Sequence, residues 1–113
     1  MNLKAIIAQL NLAVLTNPQP FDSVVPATGY TSDLLSCVMA GAKNKGIWVT
    51  LQAHMNIVAV AALLELSAVI ITEGAAPDPA TIARANEQGV TLLATKAPSF
   101  EVIGRLWEMG LRP

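Results

Sequence analysis

Charged side chains are scarce in this sequence. Lys, Arg, Asp and Glu make up 13% of its 113 residues, about half of the ~25% usual in soluble domains. The 7 basic and 8 acidic residues form no run and leave a net charge of −1, so there is no basic stripe to neutralise phosphates and nucleic acid is excluded as a partner. Cys37 is the one cysteine, so an internal disulfide is excluded. With His54 as the one histidine, the chain also lacks the ligands for a four-coordinate zinc or an iron–sulfur site. No metal and no cofactor is expected. The longest apolar stretch, from Ile57 to Ile71, is interrupted by Glu65 and Ser67 and falls short of the ~20 residues that span a bilayer. The N-terminus has neither a long apolar core nor a cleavage site, so no signal peptide is read there and a cytoplasmic protein without a membrane partner is expected.

What the sequence has in excess is apolar surface, with 53% hydrophobic residues, which rules out disorder. The length is that of a single domain spanning residues 1–113. A domain of this size buries only about two-thirds of its unfolded surface, so part of the excess calls for a second subunit, and a homodimer is expected. The segment Asn56 to Leu66 states the problem locally: from Ile57 to Leu64 it is apolar around its whole circumference, whereas a helix on a sheet needs one apolar stripe. Either the N-terminal half of the chain or a second subunit covers its outer side.

Along the chain, Leu3, Ile6, Ile7 and Leu10 have the spacing of a helix with one buried face. Leu12 to Thr16 reads as a short strand, ended by Asn17-Pro18-Gln19-Pro20. Ser23 to Tyr30 reads as a strand that Pro26 places at an edge. Thr31-Ser32-Asp33 offers N-cap chemistry to a helix with apolar positions Leu34, Leu35, Val38, Met39 and Ala42. Then a repeat sets in. Ile47 to Thr50, Val69 to Thr72 and Leu92 to Thr95 are short apolar runs ending in threonine, each followed by a helical segment. These segments are Asn56 to Leu66, one with Asp78 as N-cap, Pro79 at its first position and Gly89 beyond its end, and Pro98 to Met109. Alternating strands and helices predict a mostly parallel sheet of βα units covered on both faces, a three-layer α/β/α fold.

The stretch GYTSDLLSCVMAGAKNKGIWVTLQAHMNIVAVAALLELSAVIITEG, followed by PDPATIARANEQGVTLLAT and FEVIGRLWEMGL, resembles the DRTGG domain family. That family is similar to the N-terminal domain of HPr kinase/phosphorylase and occurs within phosphotransacetylases and CBS-containing pyrophosphatases. The resemblance implies an α/β/α domain, frequently dimeric, regulatory or structural in larger hosts and without an activity of its own. The family's naming string of Asp, Arg, Thr, Gly and Gly is not contiguous here; its nearest counterpart is Ala27-Thr28-Gly29-Tyr30.

In open α/β sheets ligands sit beyond the carboxyl ends of parallel strands, against helix N-termini. Placing the three threonines in register gathers Thr50, Gln52, His54 and Asn56 at the first strand end. Thr72, Glu73 and Gly74 come to the second, and Thr95, Lys96 and Ser99 to the third. These form a candidate rim for a small anionic metabolite or nucleotide. The competing reading is that threonine favours strands and that Asn56 and Ser99 merely cap helices. Cys37 is read as a small buried hydrophobe and His54 as a hydrogen-bonded loop or interface residue.

Catalytic motifs are missing. Gly41-Ala42-Lys43 has no upstream glycine at the offset of a phosphate-cradling loop, and no second carboxylate pairs with Glu73, since Asp78 serves as a helix cap. The expectation is a non-catalytic regulatory or ligand-sensing dimer. Two other readings are a structural interaction subunit, for example accessory to a hydrogenase or phosphotransfer system, and a small enzyme with its site shared across a dimer, His54 of one subunit facing Glu73 or Asp33 of the other.

Overall fold

Uninterrupted runs of branched and aromatic side chains set the strands, and capped segments between them set the helices. A computed structural model describes residues 1–113. Its elements are α1 (Leu3–Gln9), β1 (Ala13–Val14), β2 (Gly29–Thr31), α2 (Leu35–Gly41), β3 (Ile47–Thr50), α3 (Asn56–Leu63), β4 (Ala68–Ile71), α4 (Pro79–Gln88), β5 (Leu92–Ala94) and α5 (Ser99–Glu108). A single 3-10 turn lies at Phe21–Ser23. The sheet runs in the order β1-β5-β4-β3-β2, with β1 antiparallel to β5 and every other pair parallel. No helix is long and apolar enough to cross a membrane.

Side chains alternate between the two faces of the central strands. Ile47, Val49, Ala68, Ile70 and Leu93 pack with Leu3, Ile6 and Leu10 of α1 and Val102 and Leu106 of α5. Trp48, Val69, Ile71 and Leu92 pack with Val38 of α2, Ile57, Val58 and Ala61 of α3 and Ala85 of α4. The sheet therefore has two helices on one face and three on the other, the expected three-layer α/β/α arrangement. Because α1 lies on the α5 face, the N-terminal half does not cover α3, whose Leu63 remains 67% exposed.

Most helix ends share one closure. After α1, α3, α4 and α5 the chain passes through a left-handed residue: Asn11, Glu65, Gly89 and Gly110, respectively. The next residue folds its N–H back onto the last turn: Leu12 to Ile7, Leu66 to Ala61, Val90 to Ala85 and Leu111 to Leu106. Carbonyls left over at the helix ends are thereby satisfied. Glu65 ends α3 at Leu63, three residues before the Leu66 expected from apolar pattern alone.

Two expectations near α2 are corrected. The strand expected over Ser23 to Tyr30 forms at Gly29–Thr31, where backbone N–H groups can pair with β3 beyond Pro26. The residue at the N-cap of α2 is Leu34, without a side-chain hydrogen bond, because Asp33 turns toward the end of β3. Helix α2 packs on the sheet through Leu35, Val38 and Ala42, so Leu34, Cys37 and Met39 face solvent and Cys37 is not the buried hydrophobe expected.

Trp48 is fully buried and its Nε1–H donates to Ser32 O at 2.9 Å. Trp48→Ala is expected to destabilise the fold by about 3–5 kcal/mol through the cavity it leaves. Trp48→Phe should cost about 1–2 kcal/mol, chiefly because Ser32 O loses its donor. Urea unfolding midpoints measure both, and a Trp48→Phe variant as stable as the wild type would remove the assigned role of the indole N–H.

Candidate functional site

Each parallel strand ends against a loop whose polar groups are tied down locally. At the end of β3, Thr50 Oγ1 donates to Asp33 Oδ1 at 2.7 Å, and the same oxygen accepts from Leu51 N–H at 2.9 Å. Gln52 N–H donates back to Thr50 Oγ1 at 3.0 Å, and Gln52 Nε2 to Asp33 O at 3.2 Å. His54 Nδ1 accepts from Asn56 N–H at 3.1 Å, which sets the neutral ring in its Nε2–H form.

Beyond β4 the chain makes a tight left-handed turn. Glu73 and Gly74 have φ of 62° and 75°, and Ala75 N–H closes on Thr72 O at 3.1 Å, the geometry of a type I′ turn. Glycine takes such a conformation freely, whereas for glutamate it costs about 1 kcal/mol. Several bonds hold Glu73 there. Glu73 N–H donates to Ala97 O at 3.0 Å, Gly74 N–H to Thr95 O at 3.1 Å, and Glu73 Oε2 accepts from Ser99 N–H at 2.7 Å. The last bond places a carboxylate on the N-terminus of α5, a favourable position for negative charge. Ser99 Oγ lies 2.5 Å from Thr72 Oγ1, while Thr95 Oγ1 accepts from Ala97 N–H at 3.1 Å. Neither Asn56 nor Ser99 is an N-cap: each is the first residue of its helix, behind Met55 and Pro98.

All ten candidate residues lie on the carboxyl edge of the sheet, but not in the expected register. Thr50 is opposite Ile71, and Ile71 is opposite Ala94. Thr72 therefore sits one residue past the partner of Thr50, and a one-residue offset reverses the face to which a side chain points. Thr50 with Asp33 lies on the α2–α4 face, Thr72 with Ser99 on the α5 face. The rim divides into two polar clusters bridged by the sheet edge, where Thr72 N–H and Oγ1 meet Thr50 O at 2.9 and 3.3 Å. Thr50 and Thr72 are buried, Gln52 and Thr95 half-buried, and His54, Asn56, Glu73, Gly74 and Lys96 exposed.

Between β4 and β5 the following loops leave toward opposite faces, to α4 and to α5 respectively, which is the condition for a ligand crevice in a parallel sheet. Here the Glu73–Gly74 turn bridges that position, with Lys96 beside Gly74. Asp33 belongs to the rim as much as Gln52 does. It follows β2 as Gln52 follows β3, so placing β2 at Gly29–Thr31 is the signal that finds it. Its carboxylate serves Thr50 and Leu51.

A model of the DRTGG domain matches residues 32–109. The chain belongs to the DRTGG domain family. Among solved structures this DRTGG domain is similar to the CBS and DRTGG domains of the regulatory region of Clostridium perfringens pyrophosphatase, complexed with the activator diadenosine tetraphosphate. The TM-score is 0.75 at 19% identity, over 97% of this chain and 47% of that one. The likeness establishes a shared fold, and the chain spans about half of the matched structure's length. Comparison with curated proteins gives no match.

One rim carboxylate is perturbed. Asp78, the N-cap of α4, is held below the usual carboxylate value first by the Thr81 backbone N–H that it accepts at 2.8 Å, then by the Thr81 side chain. Its folded pKa lies below the unfolded one, so the stabilisation is present above the unfolded pKa and is lost as pH falls through the folded one. Acidification below about pH 4 is therefore expected to loosen α4. Asp78→Asn keeps the capping oxygen and should flatten that acid limb in a circular dichroism titration. An unchanged limb would remove Asp78 from the account.

Proposed function

We propose that this DRTGG domain is a non-catalytic, ligand-sensing regulatory module that works as a homodimer. Its ligand is a phosphate-bearing nucleotide, taken at the carboxyl edge where β4 and β5 send their chains to opposite faces. The observation that carries this reading is the Glu73 carboxylate on the α5 N-terminus, held there by a left-handed turn that glutamate adopts only at a cost. It occupies the position where a phosphate oxygen would sit. Lys96 supplies the nearby positive charge, and Gln52, His54 and Asn56 offer polar contacts on the other half of the rim. Support from outside the chain is the shared fold with a pyrophosphatase regulatory region complexed with a nucleotide activator.

A second reading, a purely structural interaction subunit, is favoured by the same geometry viewed differently. Glu73 on α5 and Asp78 on α4 satisfy helix N-termini with the chain's own carboxylates, as a fold without a ligand also requires.

Thermal denaturation with diadenosine tetraphosphate, ATP, AMP and inorganic phosphate separates the two. A nucleotide at 100 times its dissociation constant should add about 2.7 kcal/mol, raising the melting temperature of a domain this size by roughly 10 °C or more. Lys96→Ala should weaken the response at least tenfold in concentration, and Glu73→Ala should strengthen it by freeing the α5 N-terminus. No response to any nucleotide in either the wild type or Glu73→Ala would establish the structural reading instead. Turnover of ATP, acetyl phosphate or pyrophosphate that is lost in His54→Ala would overturn the non-catalytic part.

A further inference from the structure

Strand β2 lies at the edge of the sheet, with one side of its backbone turned away from β3. Ile47 N–H donates to Thr28 O at 2.8 Å, and Gly29 pairs with Ile47. This phase points the N–H and C=O groups of Gly29 and Thr31 outward. Gly29 N–H is taken by Arg112 O at 3.0 Å. Gly29 O and Thr31 N–H have no partner in the chain. They are an acceptor and a donor two residues apart on one extended edge.

The same residues border an apolar groove of about 290 Å³ between β2 and α5, lined also by Val49, Ile103, Trp107 and Leu111. Arg112 stacks over the Trp107 ring at 4.2 Å and donates to Trp107 O, which fixes the indole at the far end of the groove. A cavity of about 150 Å³ accepts benzene, so a groove of nearly twice that size has room for the fused rings of a purine.

The groove leads to the carboxyl edge. Ser99, Ile103 and Trp107 follow at i, i+4 and i+8 along one flank of α5, so the groove runs from about 6 Å to about 12 Å along the helix from Ser99. Ser99 N–H holds the Glu73 carboxylate, the position assigned above to a phosphate oxygen. That separation suits a base joined through its ribose to phosphates.

We propose that this groove is an adenine pocket. Gly29 O accepts from the N6 amino group, Thr31 N–H donates to the adjacent ring nitrogen N1, and the rings lie against Val49, Ile103 and Trp107. This rests on the nucleotide reading above and names the base. The pattern discriminates, because guanine in the same pose sets O6 against Gly29 O and N1–H against Thr31 N–H, acceptor on acceptor and donor on donor. A β-strand added to this edge is a poorer occupant, since Arg112 already holds its start.

Isothermal titration calorimetry of the full chain and of Glu73→Ala with ATP, GTP and purine riboside triphosphate tests the assignment. ATP should bind about tenfold or more tightly than GTP, and likewise more tightly than the purine riboside, which lacks the amino group that Gly29 O accepts. Trp107→Ala, at a half-exposed side chain, should weaken ATP about tenfold or more. Thr31→Pro removes the amide hydrogen at an edge position where proline is tolerated, and should cost ATP about tenfold more than Thr31→Ala, which keeps it. Circular dichroism verifies that the variants fold, and if Thr31→Pro does not, the three triphosphates and Trp107→Ala decide. Equal affinities for the three triphosphates, or ATP binding indifferent to Trp107→Ala, overturn the adenine pocket while the nucleotide reading stands. No binding of any triphosphate to the wild type or to Glu73→Ala overturns both.

Discussion

Burial of the central strands on both faces is the constraint from which the rest of the molecule follows. Every residue of β3 and β4 is buried, and apart from Thr50 all of them are apolar. Polar groups inside such strands would need partners that two layers of helices do not offer. The chain's hydrogen-bonding chemistry is thus displaced to the strand ends, where the loops carry Asp33, Gln52, His54, Glu73 and Lys96. The polar rim is the outlet of an apolar sheet, and its threonines mark where burial ends.

Helix termination shows the same economy of polar groups. Four helices end through a left-handed residue followed by an apolar one that folds back. At Gly89 the sequence announces this plainly, because glycine suits the left-handed conformation. At Asn11 and Glu65 it does not, since the fold imposes the conformation on residues with a side chain. For that reason the end of α4 was legible and that of α3 was not.

What could be read in the sequence was periodic, and what could not depended on register or on distant partners. The βα repeats gave the layers, the parallel sheet and every central strand to within a residue, because apolar runs between caps leave few alternatives. The faces of the threonines were hidden: β3 and β4 pair at an offset that the spacing between Thr50 and Thr72 does not reveal, and one residue of slip moves a hydroxyl across the sheet. Asp33 looked like a cap for the helix after it, and only the β3 loop, 18 residues on, shows what its carboxylate binds. The scarcity of charge likewise carried no address. The folded chain exposes 5929 Å², about what surface scaling gives for a compact monomer of 11.9 kDa, so the apolar excess is a matter of which residues are outside rather than of an incomplete fold.

The bond between Thr72 and the carbonyl of Thr50 has a mechanical consequence. It joins two sets of side-chain contacts that lie on opposite faces of the sheet, so that Ser99, Thr72, Thr50 and Asp33 form one polar strut through the thickness of the domain. At one end is the first turn of α5 and at the other the approach to α2. Movement of either helix start strains the same short path, so the two outer layers are not free to shift independently at this edge.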